Sequence, residues 1–128
     1  MDKKSIIIFS GAPYGFDEYI KPIVIPLIRQ FKIHLVQTSF YLNKSLYLIE
    51  ELNNLKKNNK DFTFEIINVP KENIGLKSFI FYKSIFKKFQ LSKYKYIFLV
   101  NDFTIFDLYL IFYARINNIK TVLLFVIL

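Results

Sequence analysis

The chain has 128 residues, 53% of them hydrophobic and 19% aromatic, which suits one domain with a buried core and excludes a disordered chain. Its 18 Lys+Arg against 10 Asp+Glu give a net charge of +8, and only Arg29 and Arg115 are arginines. With no cysteine and one histidine, disulfides and thiolate chemistry are excluded, and no transition-metal site is expected.

The start MDKK is charged, and the apolar run after it is shorter than the roughly 7–15 residues of a secretory leader. No apolar stretch reaches the about 20 residues of a membrane span; FTIFDLYLIFYA is interrupted by Asp107. A cytoplasmic protein is expected, in contact with the inner membrane face at most.

In chain order, Ser5–Phe9 is a continuous apolar run and predicts a strand buried on both faces. Gly11 and Pro13 close it. Ile20, Ile23, Val24, Leu27, Ile28 and Phe31 then recur at helical spacing. Pro22 suits the first turn of that helix, and Pro26 should kink it. Lys32–Thr38 predicts a second strand, and Ser39 is a candidate N-cap for a helix marked by Leu42, Leu46, Ile49, Leu52 and Leu55. Phe62–Val69 predicts a third strand, Gly75–Leu91 a third helix, Tyr96–Val100 a fourth strand, Thr104–Asn117 a fourth helix and Thr121–Leu128 a fifth strand.

Strands alternating with helices predict an α/β fold: a Rossmann-like, doubly wound, five-stranded parallel sheet in the order 3-2-1-4-5, with helices on both faces. Residues 1–128 form one such domain. Ligands of this architecture sit beyond the carboxyl ends of the strands where the winding reverses, here between the first and fourth strands. SGAPYGFDE and NDFT fall there. Gly11 and Gly15 either let the backbone approach an anion or only permit positive φ in a turn. The loop has neither the GxGxxG nor the Walker pattern. Asp17 reads as an N-cap that accepts from first-turn amides, in preference to a catalytic carboxylate. Asn101 shares the second loop with Asp102, which could orient a sugar hydroxyl, act as a base, or cap the fourth helix. His34 lies inside the second strand and reads as structural.

The positive charge has two readings: attraction to an anionic partner, or a coding bias that enriches Lys, Ile, Asn, Phe and Tyr together. Nucleic acid is the less expected partner, because its readers favour arginine. On the third helix, Lys77, Lys83, Lys87 and Lys88 fall on one side with Leu76 and Ile80, opposite an aromatic side. That side is either a solvated basic face or a surface that lies on an anionic bilayer.

The stretches IIIFSGAPYGFDEYIKPIVIPLIRQF, HLVQTS, YIFLVNDF and YARINNIKTVLL resemble the amino-terminal domain of GT-B glycosyltransferases, the type that makes bacterial surface polysaccharides. The resemblance covers nearly the whole chain. It implies an acceptor-binding half of an enzyme that transfers sugar from a nucleotide-sugar to a glycan or lipid-linked acceptor. Gly11, Tyr14, Gly15, Asp17 and Asn101 would face the interdomain cleft, and Asp102 would be the catalytic candidate. The family's carboxy-terminal domain holds the donor. Without it this chain is expected to bind no cofactor and to be inactive alone, as a piece of a longer enzyme or as one subunit beside a donor-binding partner. The apolar end VLLFVIL agrees with either. The competing expectation is a standalone flavodoxin-like module that binds a nucleotide or flavin without catalysis.

Overall fold

Strand β1 (Lys4–Ser10) shows why the chain folds as it does. Ile6, Ile7, Ile8 and Phe9 are each fully buried, which requires cover on both faces of the strand. In the computed structural model, which describes residues 3–10, 21–39, 46–68, 76–100 and 105–124, β1 is the middle of a parallel sheet. It pairs with β2 (Phe31–Ser39) on one side and β4 (Tyr96–Val100) on the other. Beyond them lie β3 (Phe62–Asn68), against β2, and β5 (Thr121–Leu124), against β4 over four residues. The order is β3-β2-β1-β4-β5. The α/β class and the parallel pairing are those the alternation of apolar strands and amphipathic helices predicts.

Alternate residues of β1 serve two separate cores. Ile6 and Ile8 join Ile33, Leu35 and Phe62 beneath α1 (Lys21–Leu27) and α2 (Leu46–Asn58). Ile7 and Phe9 join Val36, Ile97 and Leu99 beneath α3 (Leu76–Phe89) and α4 (Ile105–Ile116). Helices therefore cover both faces. On α2 the buried positions are Leu48, Leu52 and Leu55, one stripe at helical spacing. On the other layer, Phe86 of α3 meets Tyr113 of α4 at 5.3 Å between ring centroids.

Two local expectations are corrected. The first helix does not reach Phe31: α1 ends at Leu27, and Phe31 opens β2. Pro26 lies inside α1 and cannot donate to the helical ladder, and after Leu27 the amide of Gln30 bonds back to Leu27 O at 3.0 Å in a tighter turn. Ser39 ends β2 in register with Asn68, and the residues that it was expected to cap lie outside the described residues. The third helix stops at Phe89, and Gln90 turns left-handed (φ 49°) before a short 3-10 turn at Leu91–Lys93.

The end of α4 is closed by backbone chemistry that its Asn-Asn pair permits. Asn118 adopts φ 56°, the amide of Ile119 bonds to Ala114 O at 2.8 Å, and that of Asn118 to Arg115 O at 3.3 Å. This is a Schellman closure with asparagine in the position usually held by glycine. Asn117 adds a side-chain bond to Tyr113 O at 2.8 Å.

Candidate functional site

The two edges of the sheet differ in chemistry. At the carboxyl edge, Ser10 at the end of β1 is in register with Gln37 of β2 and with Val100 at the end of β4. The chain therefore leaves β1 and β4 at neighbouring points of one edge. Ser10 and Gln37 are both buried polar side chains. Both lie toward the carboxyl ends of their strands, so this edge has a polar floor. The sequence-predicted residues Gly11, Tyr14, Gly15, Asp17, Asn101 and Asp102 lie outside the described residues.

The amino edge holds a cleft of about 510 Å³ that the sequence reading did not anticipate. It opens on the α3 side of β2 and β3. Strand alternation builds it: Lys32 and His34 of β2 share a face with the core residue Val36, and the register sets His34 beside Thr63 and Val36 beside Glu65. The remaining walls come from Lys60 and Asp61, which precede β3, from Lys88 and Phe89 at the end of α3, and from Lys93 and Tyr94, which precede β4.

His34 is the centre of a short polar chain. Its Nδ1 lies 2.7 Å from Thr63 Oγ1, and its Nε2 lies 3.4 Å from Glu65 Oε2. Burial pushes the imidazole pKa below 6.5, against the upward pull of the Glu65 carboxylate, while Lys93 pushes it further down. The ring is therefore neutral at pH 7. A carboxylate only accepts, so the Nε2 proton faces Glu65 and Nδ1 accepts from the Thr63 hydroxyl. The other oxygen of Glu65 takes a bond from Lys88 Nζ at 3.2 Å. The Phe89 ring lies 6.0 Å from the imidazole and closes the wall. Burial, with help from Glu65, raises the pKa of the Tyr94 phenol.

Asp61 is already engaged. Lys3 Nζ reaches it at 2.7 Å and also donates to Ile28 O at 3.0 Å, which ties the start of β1 to the turns before β2 and β3. That bond holds the Asp61 carboxyl below its ordinary range. Among the described residues, Lys32, Lys60 and Lys93 make no ion pair. His34 was expected to be structural, and its strand position gave no reason to think otherwise. The signal that could have found the cleft is the placement of Lys32, His34, Thr63 and Glu65 at one parity within two adjacent apolar strands.

The four lysines expected to share a helix face are not equivalent. Lys83 and Lys87 are exposed on α3, as is Ile80 at 58%. Lys88 is turned to Glu65 and belongs to the cleft. The Lys77 side chain lies outside the described residues. Among the described residues, no helix is long and apolar enough to cross a membrane, and no cluster of His, Asp and Glu could hold a metal ion.

The chain matches no protein-family model and no curated protein sequence. Among solved structures it is similar to the C-terminal domain of a hydrogenase from Pyrococcus furiosus, with a TM-score of 0.58 and 16% identity over 96% of this chain and 93% of that one. At that identity the likeness is one of fold.

Proposed function

We propose that this chain is the acceptor-binding half of a GT-B glycosyltransferase, acting with a second α/β unit that holds the nucleotide-sugar donor. The observation that supports it is the parallel pairing of β1 with β4, in which Ser10 and Val100 are partners. In that arrangement the loops that follow, with Gly11, Tyr14, Gly15 and Asp17 on one and Asn101 and Asp102 on the other, start from adjacent stems. A polar floor at Ser10 and Gln37 suits a hydroxyl-rich acceptor. In this reading Asp102 accepts the proton of the attacking acceptor hydroxyl, whose oxygen bonds to the donor's anomeric carbon as the nucleoside diphosphate leaves with the electrons of the broken bond. The exposed Ile80, Lys83 and Lys87 of α3 would rest on an anionic membrane surface that presents a lipid-linked acceptor.

The test is amide NMR of the labelled chain titrated with a polyprenyl-pyrophosphate-linked saccharide, with flavin mononucleotide as the competing ligand. Acceptor should shift the amides of Gly11, Gly15 and Asp102, and Gly15→Val should weaken that response about tenfold or more. Mixed with nucleotide-sugar and acceptor but no partner, the chain should show no turnover. Saturable flavin binding at those amides without acceptor binding would replace this reading by the flavin module. The sheet order departs from the flavodoxin-type 2-1-3-4-5, which weighs against that outcome.

A further inference from the structure

The geometry points to the amino-edge cleft as a binding site for a phosphorylated, ring-containing small molecule, a sugar phosphate or a nucleotide. It does not depend on the acceptor-domain reading, since it uses the opposite edge of the sheet.

Three features define the ligand. The first is uncompensated charge. Lys32, Lys60, Lys88 and Lys93 line the cleft against two carboxylates, Asp61 and Glu65. Asp61 is held by Lys3, from outside the lining, and Glu65 by Lys88. Lys32, Lys60 and Lys93 stand exposed and, among the described residues, without an ion-pair partner. They come from three separate segments, ahead of or early in β2, β3 and β4, and converge only because the parallel sheet gathers those segments at one edge. A phosphate group matches such a set of point charges.

The second feature is the wall between them. Tyr94, half-buried, offers ring surface with the buried Phe89 behind the wall, and Lys93 sits 5.3 Å from the Tyr94 ring centroid, so cation and aromatic surface lie side by side. The third is a row of acceptors on the β3 wall: the Glu65 carboxylate retains lone pairs beyond its bonds to Lys88 and His34, and Thr63 can accept through its hydroxyl oxygen. Acceptors beside a cationic rim suit a molecule that carries hydroxyls as well as phosphate. A purely anionic ligand would leave the Glu65 side unused. The volume of about 510 Å³ is that of a small-molecule site rather than a track for a polymer.

The sole histidine makes the test direct, because the imidazole of the full chain gives one set of ring resonances and lies in this cleft. ADP, glucose 1-phosphate, pyrophosphate and a short single-stranded oligonucleotide would each be titrated at constant ionic strength while the His34 ring signal is followed. ADP or glucose 1-phosphate should shift it saturably with a Kd below about 1 mM. Response to ADP alone assigns a nucleotide, and response to glucose 1-phosphate alone assigns a sugar phosphate. The combined Lys32→Ala, Lys60→Ala and Lys93→Ala variant, whose changes are all at exposed positions, should weaken binding about tenfold or more with an unchanged thermal melt. Gly15→Val, the variant that tests the acceptor-domain reading, should leave the His34 response intact. The proposal is overturned if neither compound shifts the ring, if pyrophosphate or the oligonucleotide does so at equal or lower concentration, or if the triple variant binds as the wild type does.

Discussion

His34 is the residue whose environment makes the sharpest claim. Its folded pKa lies below 6.5 because burial outweighs the help of Glu65. The sign follows from linkage. Well above pH 6.5 the ring is neutral folded and unfolded, and its contribution is constant. As pH falls below that value the unfolded chain binds the proton first, so stability declines until the folded pKa is passed. Urea unfolding at steps from pH 7.5 to 5.5 should show that decline (about the range of an unperturbed imidazole), and His34→Gln should flatten it. Glu65→Gln should move the ring pKa lower still, because it removes the groups that raise it; NMR titration of the sole imidazole reads this directly. An upward shift would mean that Glu65 acts on the ring mainly by burying it. Gln90 offers a second test, of backbone rather than charge. A non-glycine residue at φ 49° costs roughly 1–2 kcal/mol, and glycine adds about 0.4–1 kcal/mol of unfolded-state entropy, so Gln90→Gly should stabilise by about 0.5–1 kcal/mol in the same unfolding assay.

Among the elements, those written by strong periodicity were legible and those interrupted by backbone chemistry were not. β4 was predicted at Tyr96–Val100 and occurs there, because a five-residue apolar run flanked by charge and Asn-Asp admits little else. α1 was overextended, because Ile28 and Phe31 continue the helical spacing while Pro26 removes a donor that the spacing does not register. Leu48 was missed on α2, because the expected apolar row runs through Leu46 and Ile49, two positions before it and one after, on the way to the buried Leu52 and Leu55. Pro26→Ala tests the account of α1: regaining one helical bond should outweigh the entropy that proline withholds from the unfolded chain and stabilise by about 1–2 kcal/mol. If the variant is no more stable than the parent, α1 ends at Leu27 for a tertiary reason, namely the need to feed Phe31 into β2. The amino-edge cleft was illegible for a different reason. Lys32, Lys60, Lys88 and Lys93 are unremarkable in a lysine-rich chain until the sheet order brings them together.

At the scale of the molecule, everything rests on a sheet covered on two faces, and adjacent residues of β1 can test each face separately. Ile7 belongs to the layer beneath α3 and α4, and Ile8 to the layer beneath α1 and α2. Both are fully buried, and they have the same side chain and adjacent places in one strand. Ile7→Ala and Ile8→Ala should therefore each cost about 2–5 kcal/mol, the transfer loss plus the cavity left in a packed core. Ile25→Ala, on the outer side of α1 with 47% of its surface exposed, should cost well under half as much. The comparison within the pair carries the argument. If helices covered only one face, one of the two isoleucines would sit on an open sheet surface and its truncation would cost little. Equal penalties require two cores that share one central strand, and that strand is what holds the stems of the β1 and β4 loops together at one edge and the lysines of the cleft at the other.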